Sequence, residues 1–83
     1  MTYSPPPGTV NIITTPPAYT IRLDDVGGGV SYVGEADPGA NPALPVWRIK
    51  KIVEVGDDIT ITWADGDDDF DNIWNNRLAL VYS

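Results

Sequence analysis

A dense group of carboxylates near the C-terminal end of the sequence is the feature best suited to chemistry. Five of the seven residues from 65 to 71 are aspartates. Their oxygens could surround a Ca²⁺ ion, because hard cations in proteins take about six to eight oxygen ligands. The sequence therefore predicts a candidate calcium site, and no other cofactor. Its ligands would be Asp65, Asp67, Asp69 and Asp71.

The same residues also fit a simpler interpretation. The EF-hand pattern requires aspartates two apart, then a Gly and a later Glu. Here Gly66 holds the second place and no Glu follows it. An exposed acidic turn that caps a short helix and keeps the protein soluble accounts for these residues equally well. Both interpretations stay open from the sequence.

Composition argues against catalysis. The 83 residues include no His and no Cys, which removes the commonest general base and all thiolate chemistry. Paired carboxylates could cleave a glycoside only across a cleft, and so small a chain has little volume for one. A formal net charge of -7 also repels nucleic acid and anionic membranes. We predict that the protein is not an enzyme and that it binds neither nucleic acid nor membranes.

Three tryptophans offer a second kind of chemistry. Trp63 and Trp74 fall in the core phases of their elements, which favours packing. Trp47 follows a Pro-rich loop, so we expect it to be exposed. An exposed indole could stack on a sugar. A carbohydrate-binding module is therefore the alternative function that the residues suggest.

The few basic residues suggest ion pairs, either with another chain or within the same chain. Arg48 and Lys50 should share one face of a strand, where they could meet an acidic partner. Arg77 is expected to pair with Asp65 or Asp71.

From residue 18 onward the sequence predicts short strands separated by turn residues. Gly56-Asp57 suits a two-residue hairpin turn. After it, Ile59, Ile61 and Trp63 alternate with polar residues that should face water. In the preceding strand Ile52 falls out of phase, which predicts a bulge at Lys50-Lys51. The predicted strands are 18–23, 30–35, 46–55, 58–63 and 78–82.

One segment carries a helical pattern instead. Phe70, Ile73, Trp74 and Arg77 are spaced by 3, 4 and 7, which places them on one helical face. We predict a short helix near 70–77 that packs on the sheet. The fold class is then all-β, a small five- or six-stranded barrel or sandwich formed by residues 18–83.

Residues 1–17 differ in composition from the rest. They hold five of the eight prolines, which favours an extended arm. An apolar, β-branched stretch between the Pro clusters suggests that this arm docks on a sheet edge. The domain that follows has only a marginal core, so partner copies should complete it. The predicted interface residues are Val10, Ile12, Ile13, Pro16, Pro17, Trp47, Arg48 and Lys50.

The C-terminal half resembles a short module of tailed-bacteriophage structural proteins. The residues that carry the resemblance are Tyr32-Val33-Gly34-Glu35-Ala36, Val46-Trp47-Arg48-Ile49-Lys50-Lys51-Ile52, Trp63-Ala64-Asp65-Gly66, Phe70-Asp71-Asn72-Ile73-Trp74-Asn75-Asn76-Arg77 and Tyr82-Ser83. The resemblance covers about 50 residues and leaves out the arm and the extra aspartates at 67–69. It implies a virion protein of the decoration, neck, tail or fibre type, without catalytic residues.

Together, these expectations describe a virion component that assembles in many copies. Its partners would be copies of itself and other virion proteins, and its arm would dock it. The alternatives are a carbohydrate-binding module that aids host attachment by binding a host surface glycan, and a virion accessory protein stabilised by calcium.

Overall fold

The structure is a computed structural model, and it describes residues 18–83. The predicted arm, residues 1–17, lies outside the described residues. So do the interface residues predicted within it, which are Val10, Ile12, Ile13, Pro16 and Pro17. Among the described residues, no helix has both the length and the apolar character needed to cross a bilayer.

Four long strands follow one another across an antiparallel sheet in the order β1-β2-β3-β4. Short glycine-containing turns connect β1 to β2 and β3 to β4, the second at the predicted Gly56-Asp57. A short fifth strand pairs with β3 beyond the end of β4. The predicted all-β fold is confirmed. The strands are β1 (Thr20–Gly27), β2 (Val30–Ala36), β3 (Pro45–Val55), β4 (Asp58–Trp63) and β5 (Asn72–Ile73).

The helical element is a 3-10 helix, Trp74–Ala79, that starts later than the predicted 70–77. Its start is delayed because β5 uses residues 72–73 to pair with Pro45 and Trp47 of β3. The predicted strand 78–82 is reduced to a bridge between Ala64 and Tyr82, because the helix continues through Ala79.

The bulge predicted at Lys50-Lys51 is wrong. The register runs without a shift through Lys50, Lys51 and Ile52, which pair with Trp63, Thr62 and Ile61. Ile52 therefore lies on the same face as Lys50 and opposite to Ile49. No correction of phase is needed, because the second face of the sheet also carries apolar residues, among them Ile61, which pairs with Ile52.

The core lies on one face of the sheet, called here the inner face. The C-terminal segment, residues 74–83, covers this face and places Trp74 against Gly34. Tyr82 helps to hold the segment, since its hydroxyl donates a 2.8 Å hydrogen bond to the carbonyl of Arg77. The buried apolar residues are Tyr32, Ala36, Trp47, Ile49, Ala64 and Trp74.

An ion pair ties the covering segment to the first strand. The Arg77 guanidinium lies 2.8 Å from the Asp24 carboxylate and 4.6 Å from the centroid of the Trp74 ring. The expected pairing of Arg77 with Asp65 or Asp71 is therefore wrong. The helix turns Arg77 back over the inner face, where Asp24 of β1 lies within reach.

Candidate functional site: the outer sheet face

The face opposite the core is called here the outer face, and it carries exposed apolar side chains on both of its outer strands. Residues paired across antiparallel strands share a face, so the registers assign its members. Ile21 and Leu23 of β1 are 64% and 68% exposed, and Ile59 and Ile61 of β4 are 57% and 53% exposed. The outer face comprises Ile21, Leu23, Asp25, Ser31, Val33, Glu35, Arg48, Lys50, Ile52, Glu54, Ile59, Ile61 and Trp63.

The alternation in β4 is as predicted, but its consequence is different. Ile59, Ile61 and Trp63 do share one face. Within residues 18–83 no layer covers that face, so Ile59 and Ile61 are exposed, as is Thr60. β4 is the last strand in the order β1-β2-β3-β4. The C-terminal segment lies on the inner face, opposite to these side chains.

The exposed apolar residues of β1 were missed at the level of sequence. Ile21 and Leu23 alternate with Arg22 and Asp24, which favours placing the apolar pair inward. The reverse is observed, because Arg22 lies 5.8 Å from the Trp47 ring and Asp24 pairs with Arg77. No local signal distinguishes the two arrangements.

A charged cluster interrupts the apolar surface at the middle strands. Glu35 of β2 lies 3.2 Å from the Arg48 guanidinium and 3.9 Å from the Lys50 ammonium of β3. The Lys50 ammonium also lies 5.4 Å from the centroid of the Trp63 ring. Arg48 and Lys50 share a face, as predicted, and each keeps about a quarter of its side chain exposed.

Arg48 is held further by two aromatic rings at one end of this face. Its guanidinium lies 5.1 Å from the Tyr19 centroid and 4.8 Å from the Phe70 centroid. Its buried Nε makes no hydrogen bond within residues 18–83. Beside it lies an open pocket of about 370 Å³, lined by Tyr19, Asp37, Val46 and Phe70. The planar group is thus fixed by stacking and by Glu35.

The expected exposure of Trp47 is wrong. Trp47 is fully buried on the inner face, with its ring centroid 6.0 Å from that of Trp74. Its Nε1 donates a 3.1 Å hydrogen bond to the Asn41 carbonyl, because the preceding loop folds back over it. Trp47 therefore offers no surface to a sugar or to a partner, and its place among the interface residues is also wrong.

The acidic segment brings three of its four candidate ligands together. Carboxylate oxygens of Asp67, Asp69 and Asp71 lie within 4.8 Å of one another, and all three residues are exposed. Asp65 is not in the group and adopts a left-handed φ of 62°. The charge of Asp67, with smaller effects of desolvation, Asp71 and Asp68, raises the pKa of Asp69.

We expect Asp69→Asn to raise the melting temperature slightly at pH 7 in the presence of a chelator. A folded-state pKa above the unfolded value means that the charged form is disfavoured in the fold. The penalty is complete above the raised folded pKa and vanishes as the pH falls below the unfolded value. The gain should therefore be absent near pH 3. Circular dichroism melts at both pH values test this.

Asp57→Asn, in the exposed hairpin turn outside the cluster, is the control for the loss of one charge. If Asp69→Asn raises the melting temperature at pH 7 no more than Asp57→Asn does, the aspartates of the cluster do not destabilise the fold by repelling one another. The same melts address calcium. A rise with millimolar Ca²⁺ that is absent from Asp69→Asn supports a calcium site, whereas a wild-type curve unmoved by Ca²⁺ and chelator removes it.

Comparison with protein-family models, with characterised proteins and with solved structures gave no match to this chain.

Proposed function

We propose that this protein is a non-enzymatic structural component of a bacteriophage particle, in which it assembles in many copies. The observation that carries the proposal is the outer face, where Ile21, Leu23, Ile59 and Ile61 are each more than half exposed. Exposed apolar side chains on both outer strands of one sheet face are typical of a protein interface, because they gain free energy when a partner covers them.

The place in a virion is supported by the resemblance of residues 32–83 to small phage structural modules. A decoration, neck, tail or fibre position would each supply neighbours for the outer face. Contact between two copies can be weak in such an assembly, since many contacts act together. The net charge of -7 opposes non-specific association of free copies.

The arm, residues 1–17, gives the second contact in this proposal. Its apolar centre, Val10, Ile12 and Ile13, would add to a neighbouring sheet edge, and its prolines reduce the entropy lost on binding. Other virion proteins are the partners expected for it.

We expect deletion of residues 1–17 to reduce attachment to particles at least about tenfold, because removing several buried apolar side chains costs more than 1.4 kcal/mol. Co-sedimentation with phage particles that lack this protein measures the attachment. Circular dichroism establishes that residues 18–83 keep their sheet. A full-length variant with Val10, Ile12 and Ile13 changed to serine separates the side chains from the length of the arm. Equal attachment by the shortened and full chains would refute docking through the arm.

One alternative has an observation in its favour. The carboxylates of Asp67, Asp69 and Asp71 lie within 4.8 Å of one another, which suits an accessory protein stabilised by calcium. The melting curves with Ca²⁺ and with chelator, described above, test this alternative. Carbohydrate binding depended on an exposed Trp47, and the burial of Trp47 removes that argument.

A further inference from the structure

The outer face has a distinct chemistry on each of its four strands. The two outer strands are apolar, with Ile21 and Leu23 on β1 and Ile59, Ile61 and Trp63 on β4. The two middle strands carry opposite charges. Glu35 lies on β2, and Arg48 and Lys50 lie on β3.

We infer that the outer face binds the outer face of a second copy, about a two-fold axis parallel to the strands. This operation lays β1 of one copy on β4 of the other and β2 on β3. Two sheets then pack face to face at about 10 Å, in the aligned manner of a β-sandwich. The interface is isologous, so every contact occurs twice.

One apolar pair, Leu23 and Trp63, matches under this operation. Leu23 lies in the same cross-strand row as Val33, Lys50 and Trp63, because the register pairs them in succession. Leu23 of one copy therefore faces the row position of Trp63 in the other. Ile61 lies in the next row, with Ile52, Ser31 and Asp25, so it faces Asp25 of the other copy. Ile21 lies in the row of Glu35 and Arg48, beyond the end of β4. The apolar contact is therefore centred on Leu23 and Trp63.

The charges match as well. Glu35 and Arg48 occupy one row on adjacent strands, so each faces its opposite in the second copy. An axis perpendicular to the strands would instead lay β3 on β3. Arg48 and Lys50 of one copy would then face the strand that carries Arg48 and Lys50 in the other copy. Glu35 would likewise face the strand that carries Glu35 of the other copy. Like charges facing each other in an interface are unfavourable.

The size of the face also favours a second copy over residues 1–17. Four strands of about eight residues form a surface of about 19 by 27 Å, or about 500 Å² on each copy. Two copies together reach the ~1,000 Å² needed for a specific interface. A stretch such as residues 10–14 extends to ~18 Å at most and covers the width of one strand, about 5 Å.

The inference deepens the proposed function and rests on its assembly in many copies. It assigns one of the contacts in that assembly and leaves the arm and the virion location to separate tests. A failure here would leave the attachment experiment with the shortened chain unaffected.

Cross-linking of the full chain gives a sharp test, because the sequence contains no native cysteine. Two single variants, Leu23→Cys and Ile61→Cys, are treated with a short bismaleimide separately and as an equal mixture. We expect the mixture to give covalent dimers at least about fivefold more efficiently than either variant alone, since the axis sets β1 against β4 and not against itself. A mixture of Leu23→Cys with Val55→Cys is the control. Val55 is 71% exposed but belongs to the opposite phase of β3.

Sedimentation equilibrium supplies the second measurement, from about 10 µM to 1 mM, because an interface of this size binds in the micromolar range. We expect the wild type and Val55→Lys to dimerise and Leu23→Lys to remain monomeric. A monomeric wild type at all concentrations would overturn the inference. So would equal cross-linking of Leu23→Cys with itself. Dimerisation that appears only after deletion of residues 1–17 would assign the face to those residues instead, and would also refute it.

Discussion

We expect Trp47→Ala to leave the domain largely unfolded at 25 °C. Trp47 is fully buried, its ring packs at a tilt against that of Trp74, and its Nε1 donates a hydrogen bond to the Asn41 carbonyl. Truncating a buried Trp costs about 3–5 kcal/mol through lost burial and the cavity left behind. A single core of this size seldom supplies more than about 3–5 kcal/mol in total. The substitution therefore removes nearly all of the free energy of unfolding.

Urea titration followed by far-UV circular dichroism measures this loss. Trp63→Ala is the matched control, because Trp63 lies on the outer face and is only partly buried. We expect it to cost about 1 kcal/mol, since less apolar area is removed from contact. If both variants lose the same stability, the placement of the core on the inner face is wrong.

We expect the second-largest loss from Gly34→Ala, about 1–3 kcal/mol, through overpacking. A Cβ on Gly34 would lie 2.7 Å from Cζ3 of Trp74 and 3.1 Å from Cε3 of Trp47. The backbone of Gly34 is extended and accepts any residue, so the expected loss is steric and not conformational. Neither indole can move far, because both are buried between the sheet and the C-terminal segment.

A double-mutant cycle with Trp74→Phe tests this cause. The smaller ring vacates part of the space above Gly34, so the double variant should lose less stability than the sum of the single variants. Ser31→Ala, on the outer phase of the same strand, should change stability by less than about 0.5 kcal/mol. Additive losses in the cycle would show that contact with Trp74 is not the reason.

Elements set by local chemistry could be predicted from the sequence. The hairpin at Gly56-Asp57 depends on the conformational freedom of one glycine, whose φ is 60°. The four long strands depend on β-branched residues between turns. The grouping of Asp67, Asp69 and Asp71 depends on a spacing of two residues, and it too is local.

The choice of the inner face could not be predicted in the same way. Ile21 and Leu23 have the pattern of core residues, yet they lie outward because the covering segment comes from the far end of the chain. The burial of Trp47 has the same cause, since Trp74 covers it. Alternation along a strand says which residues share a face, but the long-range contacts say which face is covered.

The order of the strands also governs how the chain reaches its fold. Each strand of the meander pairs with its predecessor, so the sheet grows through short loop closures that cost little entropy. The link between Asp24 and Arg77 joins residues 53 apart in the chain and requires most of the sheet to exist first. We expect contacts made this late to be absent from the rate-limiting step. Damage to the covering segment therefore accelerates unfolding and leaves the rate of sheet formation nearly unchanged.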